Sequence, residues 1–217
     1  MAIEIVLATR NSHKIEEVNR IVQAVCNDIE ILDLTRWPDA PEVIEDAPTF
    51  AGNALLKARA IAAHTGLPSI ADDSGICVEA LNGMPGILSA RWSGKHGNDK
   101  QNLELLLDQM GDVPDNRRAA NFTCAVALVT PEGEERVVEG IVDGKITRAA
   151  RGKDGFGYDP IFEPFGLDRT NAELTAKEKD AISHRGQAIR AIVIEILNLL
   201  QPIEGCGGNC ACKNNSE

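Results

Sequence analysis

The sequence has no apolar run approaching the ~20 residues that span a bilayer, which argues against a membrane-spanning helix. It has no basic cluster either. Lys and Arg number 22 against 33 Asp and Glu, for a net charge of −11. A general nucleic-acid binder presents a basic face, so that class is disfavoured. The P-loop pattern G-x4-GK-[ST] is absent. There is no internal repeat and no long linker. The opening MAIEIVLATRNSHK lacks the basic leader, long apolar stretch and small-residue cleavage site of a signal peptide, so a cytoplasmic protein is expected. Aromatic residues make up only 4% of the chain. An acidic protein can still hold an anion, given a local set of Lys and Arg or a metal ion.

What is present is ordinary for a globular protein. Hydrophobic residues are 43% and charged residues 25% of 217. The length suits one domain, or two lobes sharing a core. We expect a single domain over residues 1–201 and a Cys/Gly/Asn-rich tail over 202–217. The six cysteines fall into two groups. Cys26, Cys77 and Cys124 sit in apolar segments and read as core residues. Cys206, Cys210 and Cys212 crowd the tail GCGGNCACKNNSE, either as soft-metal ligands or as exposed thiols on a flexible end.

Periodicity predicts a strand over 2–8, then a helix with Ile15, Val18, Val22 and Val25 inward and Asn11 or Ser12 as cap. A strand over 29–34 and a proline-rich loop follow. A helix capped by Thr49 carries Phe50, Ala54, Ala58 and Ile61 on one stripe, and Gly66-Leu67-Pro68 ends it. Short strands over 69–72 and 76–80 flank an Asp-Asp-Ser-Gly turn. A helix near 98–110 turns Leu103, Leu106, Leu107 and Met110 inward. Strands over 119–130 and 134–143 form a hairpin at Pro131-Glu132-Gly133, with another possible strand over 145–150. A final helix starts at a Ser183 cap. This alternation predicts an α/β fold with a mixed sheet flanked by helices.

Five stretches carry chemistry. ATRNSHK (8–14) joins a strand to a helix, where backbone N–H groups attract phosphate. Thr9, Asn11 and Ser12 add neutral hydrogen bonds and Lys14 adds charge. As a plain helix cap it would do none of this. ADDSG (71–75) sets two carboxylates side by side. Adjacent anions repel, so a positive partner is expected, and magnesium takes one or two carboxylates together with phosphate. One carboxylate can hold a metal while the other orients or deprotonates water. An Asp-rich turn is the alternative. Glu45 and Asp46 either join that acidic cluster or sit in a solvated loop, and Lys57 is either a surface lysine or points back at a phosphate. GFGYDP (155–160) concentrates scarce aromatics and glycines, which suits either a base stacked against the loop or a turn anchored by buried Phe156 and Tyr158. In KEKDAISHRG (177–186), His184 and Arg185 stand in the first turn of a helix, where cations oppose the dipole. A bound nucleotide accepting from Lys179 and Arg185 would offset that; an ordinary charged helix start is the alternative.

Together ATRNSHK, FAGNALLKA, ADDSG, GMPGILSARWSG, DGFGYDPIF and LTAKEKDAISHRGQA resemble the inosine triphosphate pyrophosphatase family, in the family's order, from residue 3 to about 200. The resemblance implies two lobes with a nucleotide cleft between them, a homodimer, magnesium, and cleavage of non-standard purine nucleoside triphosphates to the monophosphate and pyrophosphate. Carried over, Thr9, Arg10, Asn11, Ser12, His13, Lys14 and Lys57 would hold the triphosphate. Asp73 would be proton acceptor and metal ligand, with Glu45 sharing the metal and Asp72 as a further candidate. Ser74 would touch substrate. Phe156, Gly157, Tyr158, Asp159, Lys179, His184 and Arg185 would frame base and sugar. Arg10 departs from the glycine of many relatives, and the cysteine tail lies outside the family pattern. Two other readings stand beside this one: a pyrophosphatase for pyrimidine or modified nucleotides, and a nucleotide sensor without hydrolysis.

Overall fold

The computed structural model describes residues 2–200, so Cys206, Cys210 and Cys212 lie outside the described residues. The strands are β1 (Ile3–Leu7), β2 (Ile29–Leu32), β3 (Ser69–Val78), β4 (Ala119–Val129), β5 (Glu135–Ile146) and β6 (Phe162–Pro164). The helices are α1 (Ser12–Val25), α2 (Phe50–Thr65), α3 (Asp99–Gln109), α4 (Ala176–Ile182) and α5 (His184–Leu200). One mixed sheet runs in the order β2-β1-β3-β4-β5-β6. β1 is parallel to β2 and β3, and the remaining pairs are antiparallel. Among the described residues no helix is long and apolar enough to cross a membrane.

Alternation along the strands divides the core. Ile5, Leu7 and Ile70 face α1 and α5, where Val18, Val22, Ile189, Ile192 and Ile196 meet them. Val6 and Ala71 face the other way, onto Ala54, Ala58 and Ile61 of α2. A third group gathers Ile76 and Val78 with Leu106 and Met110 of α3, and with Phe122, Ile161 and Phe162. Thus β3 is apolar at both ends, and Asp72–Gly75 lie between.

Several expectations need correction. Asp-Asp-Ser-Gly is not a turn: β3 is unbroken, and Asp72 to Gly75 pair in register with Val126 to Thr123 of β4. No separate strand covers 145–150, because β5 simply continues to Ile146. Val25 is 46% exposed at the last position of α1, and Ile21 fills the buried stripe instead. Asn11 is the α1 cap, its side chain accepting from the Lys14 N–H. Ser183 caps α5, taking the Gly186 N–H on its Oγ at 2.9 Å. The short helix α4 was not expected. Its signal is the capping box of Thr175 and Glu178. Cys124 is buried as expected, whereas Cys26 and Cys77 are half-buried.

Candidate active site

The sheet order places β2 and β3 on opposite sides of β1, and α1 and α2 lie on opposite faces. Such a switch point opens a crevice beyond the carboxyl end of the central strand. Here that end is Ala8 to Asn11. β1 pairs with β3 only at Val6↔Ser69 and Leu7↔Ile70, so β3 projects past it. The next residues of β3, Asp72 to Gly75, therefore border the crevice with no strand on that side.

Two neighbouring carboxylates are tolerated because a strand sends successive side chains to opposite faces. Asp72 points toward α1 and α5. It pairs with Lys14 Nζ at 2.9 Å and Arg185 Nε at 3.2 Å. Asp73 points toward α2. It accepts from Asn53 Nδ2 at 2.9 Å and from the Ser74 N–H at 3.0 Å, with Lys57 Nζ 3.9 Å away. The expected positive partner of Asp72 is thus supplied by the protein's own cations. Asp72 and Asp73 point to opposite faces, and Asp72, only 2% exposed, is a counter-ion for Lys14 and Arg185 through Oδ2, while its Oδ1 is buried without a hydrogen-bond partner among the described residues. Burial pushes the Asp72 carboxyl up, but Lys14, Arg185 and Lys57 outweigh it and hold it below the ordinary range. For Asp73 burial wins over the pull of Lys57 and Asn53, and its pKa is raised.

The Asp72 side continues as a buried chain of alternating charge. Asp159 meets Lys179 at 2.6 Å, and Lys179 meets Glu17 at 2.8 Å. Glu17 then pairs with Arg185, Arg185 with Asp72, and Asp72 with Lys14. Three carboxylates balance three cations, which is how ions remain charged in a low-dielectric interior. The cation at the start of α5 is therefore offset by Glu17 and Asp72, and no bound nucleotide is needed for that. Burial, with Arg185 and Lys179 nearby, lowers the His184 pKa, so this imidazole is neutral and adds no charge to the helix start.

Across the crevice Lys57 bonds Glu45 Oε1 at 2.8 Å and the Asp72 carbonyl at 2.7 Å. With Asp73 close by, one lysine serves two carboxylates, and this end carries excess negative charge. Among the described residues no three His, Cys, Asp or Glu side chains converge as a chelating group. What the protein presents is the pair Glu45 and Asp73, hard oxygen donors beside one ammonium. That donor set fits magnesium, which keeps few protein ligands and shares phosphate oxygens.

The aromatic loop is fixed from beneath. Asp159 accepts from the Phe156 N–H at 2.9 Å and from Asn171 Nδ2 at 3.1 Å, besides Lys179. Tyr158 donates its hydroxyl to the Ser89 carbonyl at 2.9 Å. Phe156 is left half-buried at the cavity wall, with Lys179 Nζ 4.9 Å and Arg185 5.6 Å from its ring centre.

These groups enclose a cavity of about 740 Å³. The structure brings Thr9, Arg10, Asn11, Ser12, Lys14, Glu45, Lys57, Asp73 and Ser74 to its wall, with Phe156, Gly157, Tyr158, Asp159, Lys179, His184 and Arg185. His13 is not among them. It stacks on Phe156 at 5.3 Å and faces a smaller hollow behind that ring. Arg10 reaches the Ala40 carbonyl at 2.9 Å. Sequence reasoning missed Glu17, Asn53 and Asp99. Glu17 stands four residues before Ile21 on the buried stripe of α1, where a carboxylate is out of place and so was a readable signal. Asp99, whose carboxylate takes the Gly157 N–H at 3.0 Å, carries no such mark.

The fold and the cavity define an α/β protein with a mixed sheet and a site at its switch point. The Ham1 family model matches residues 5–194. A dITP/XTP pyrophosphatase of Streptomyces coelicolor is 54% identical over 196 residues, which are 90% of this chain and 98% of that protein. Among solved structures, a nucleoside-triphosphatase / dITP/XTP pyrophosphatase from Mycobacterium abscessus is 54% identical with a TM-score of 0.72, covering 88% of this chain and 99% of that one. The Ham1 protein of Staphylococcus aureus is 39% identical with a TM-score of 0.78, covering 88% and 98%. This chain belongs to the Ham1 family, and the resemblance drawn from its motifs holds.

Proposed function

We propose that this protein hydrolyses non-standard purine nucleoside triphosphates such as ITP, dITP and XTP to the monophosphate and pyrophosphate. The observation that carries the reading is the layout of one cavity. Its acidic end holds Asp73, Glu45 and Lys57, and its other end holds Phe156 with the buried cations Lys179 and Arg185. The loop Thr9–Ser12 and Lys14 line the same cavity, and in this reading they cradle the phosphates. The names of the relatives point to the same substrate class.

In this reading the triphosphate lies along Thr9–Ser12 with Lys14 and Lys57 on its anionic oxygens. A water sits against Asp73 and attacks the α-phosphorus in line with the departing pyrophosphate. Asp73 takes the water's proton. The raised pKa of this carboxyl makes it a stronger base than an exposed aspartate. Glu45 and Asp73 would hold magnesium, which when bound neutralises charge on the phosphate oxygens. Lys14 and Lys57 stabilise the leaving pyrophosphate.

Base choice follows from the donors that remain. Lys179 gives N–H groups to Glu17 and Asp159 and keeps a third. Arg185 keeps N–H groups beyond those given to Asp72, Glu17 and Ser74. Such donors pair with a 6-oxo group and meet a like group in adenine. An unpaired buried donor costs about 1–3 kcal/mol, roughly 5- to 150-fold in selectivity. The apolar groups on either side of Asp72–Gly75 act in this reading as two lobes around the nucleotide, in a cytoplasmic homodimer. A panel of triphosphates, assayed for pyrophosphate with and without chelator, tests it. Release from ITP and XTP well above ATP, abolished by chelator, is expected. Turnover of ATP at the same rate, or no turnover of any triphosphate, would overturn it.

A further inference from the structure

Asn53 is fully buried, yet it is polar and makes no contact that its own helix requires. Its Nδ2 donates to Asp73 Oδ2 at 2.9 Å, and its Oδ1 accepts the Ala47 N–H at 3.0 Å. One amide therefore bridges β3 to the loop that carries Glu45, two residues before Ala47. The loop is pressed onto the start of α2 at this point: a Cβ on Gly52 would stand 2.7 Å from Ala47 Cβ and 3.1 Å from Thr49 Oγ1. On the far side of the loop, Arg91 Nη2 holds the Glu45 carbonyl at 3.2 Å. With Oδ2 committed to Asn53, the Asp73 carboxylate cannot rotate freely, and its Oδ1 is the oxygen on the Lys57 side.

Only a side chain that donates and accepts at once, at this length, can make both contacts. An ionised aspartate here could accept from Ala47 but would set a like charge against Asp73. We propose that Asn53 is a positioning residue that fixes the separation and orientation of Asp73 and Glu45. It does not touch substrate. It rests on the reading of Asp73 and Glu45 as the hydrolytic end of the cavity, but the bridge itself can be tested without turnover.

Two variants separate its two contacts. Asn53→Asp keeps the acceptor for Ala47 and loses the donor to Asp73; Asn53→Ala loses both. Hydrogen exchange of the nucleotide-free proteins reads the loop. Exchange at residues 45–48 is expected to speed up in Asn53→Ala and to stay near wild type in Asn53→Asp. Steady-state kinetics read the carboxylate. In both variants kcat is expected to fall about 10²-fold, the scale of a misplaced reacting group, with KM within about threefold. Unchanged exchange in Asn53→Ala overturns the bridge, whatever the enzyme does. A kcat within twofold of wild type in Asn53→Asp, or a loss confined to KM, overturns the positioning role. An inactive wild type would sink the functional reading instead and leave the exchange result to decide the bridge.

Discussion

Replacing Glu17 with glutamine tests the buried charge chain directly. In the wild type this carboxylate takes Lys179 at 2.8 Å on one oxygen and Arg185 on the other, and it is only 8% exposed. Glu17→Gln keeps the shape and removes the charge, so three cations face two carboxylates, and the new amide N–H group points at a cation. Breaking a buried pair from one side costs about 3–5 kcal/mol. For a domain of this size each kcal/mol moves Tm by roughly 2–4 °C, so a fall of roughly 6–20 °C is expected at neutral pH. The pH dependence gives a second readout. Burial raises the Glu17 pKa but Arg185 and Lys179 outweigh it, so its folded value lies below the ordinary one of 4.5. A lowered carboxyl stabilises the fold above its unfolded pKa and loses that contribution as pH falls through the folded value. The variant should therefore lose stability less steeply than wild type below about pH 4.5. Thermal unfolding followed by circular dichroism from pH 7 down to pH 3 measures both. A Tm change under about 2 °C at pH 7, or parallel acid limbs, would refute the idea that Glu17 holds Lys179 and Arg185 together.

Three further outcomes are expected. Asp73→Asn should lower turnover by about 10²-fold or more. Near-normal turnover would remove Asp73 as the base. Lys57→Met takes away the ammonium that sits against both Glu45 and Asp73. Titration of the nucleotide-free protein with Mn²⁺ should then show tighter binding than wild type, and weaker binding would mean that Lys57 does not compete for those carboxylates. Gly75→Ala should cost about 1–3 kcal/mol by denaturant unfolding, since its Cβ would overlap the Gly86 carbonyl and Ser89 Oγ; an unchanged midpoint would mean that this wall yields.

Much of the frame was legible in the sequence because it rests on local rules. The apolar stripes of α1, α2, α3 and α5 follow helical spacing, and Pro131-Glu132-Gly133 announced the β4–β5 hairpin. Asn11, Thr49 and Ser183 cap where short polar residues precede an apolar period. The polar residues of ATRNSHK, the Asp pair and the GFGYDP loop were visible as chemistry without apolar purpose. Where the local rules failed, a distant partner had decided the matter. Asp72-Asp73-Ser74-Gly75 reads as a turn by residue type, yet it pairs along its whole length with β4. Glu17 shows in the sequence only as a carboxylate on an apolar stripe and Asn53 shows nothing; their roles depend on Lys179, Arg185 and Asp73 arriving from other elements.

Periodicity and residue chemistry made the main strands and helices, the acidic balance of the chain and the stretches that bear reactive groups readable, while β6 and α4 escaped them. Only the tertiary structure decided how the charges are shared. Adjacent aspartates have opposite roles because the pleat sends them to opposite faces, one toward Lys14 and Arg185 and the other toward Asn53 and Lys57. Coulomb attraction acts through space, and residues 14, 57, 72, 73 and 185 meet only when the sheet brings α1, α2, β3 and α5 together.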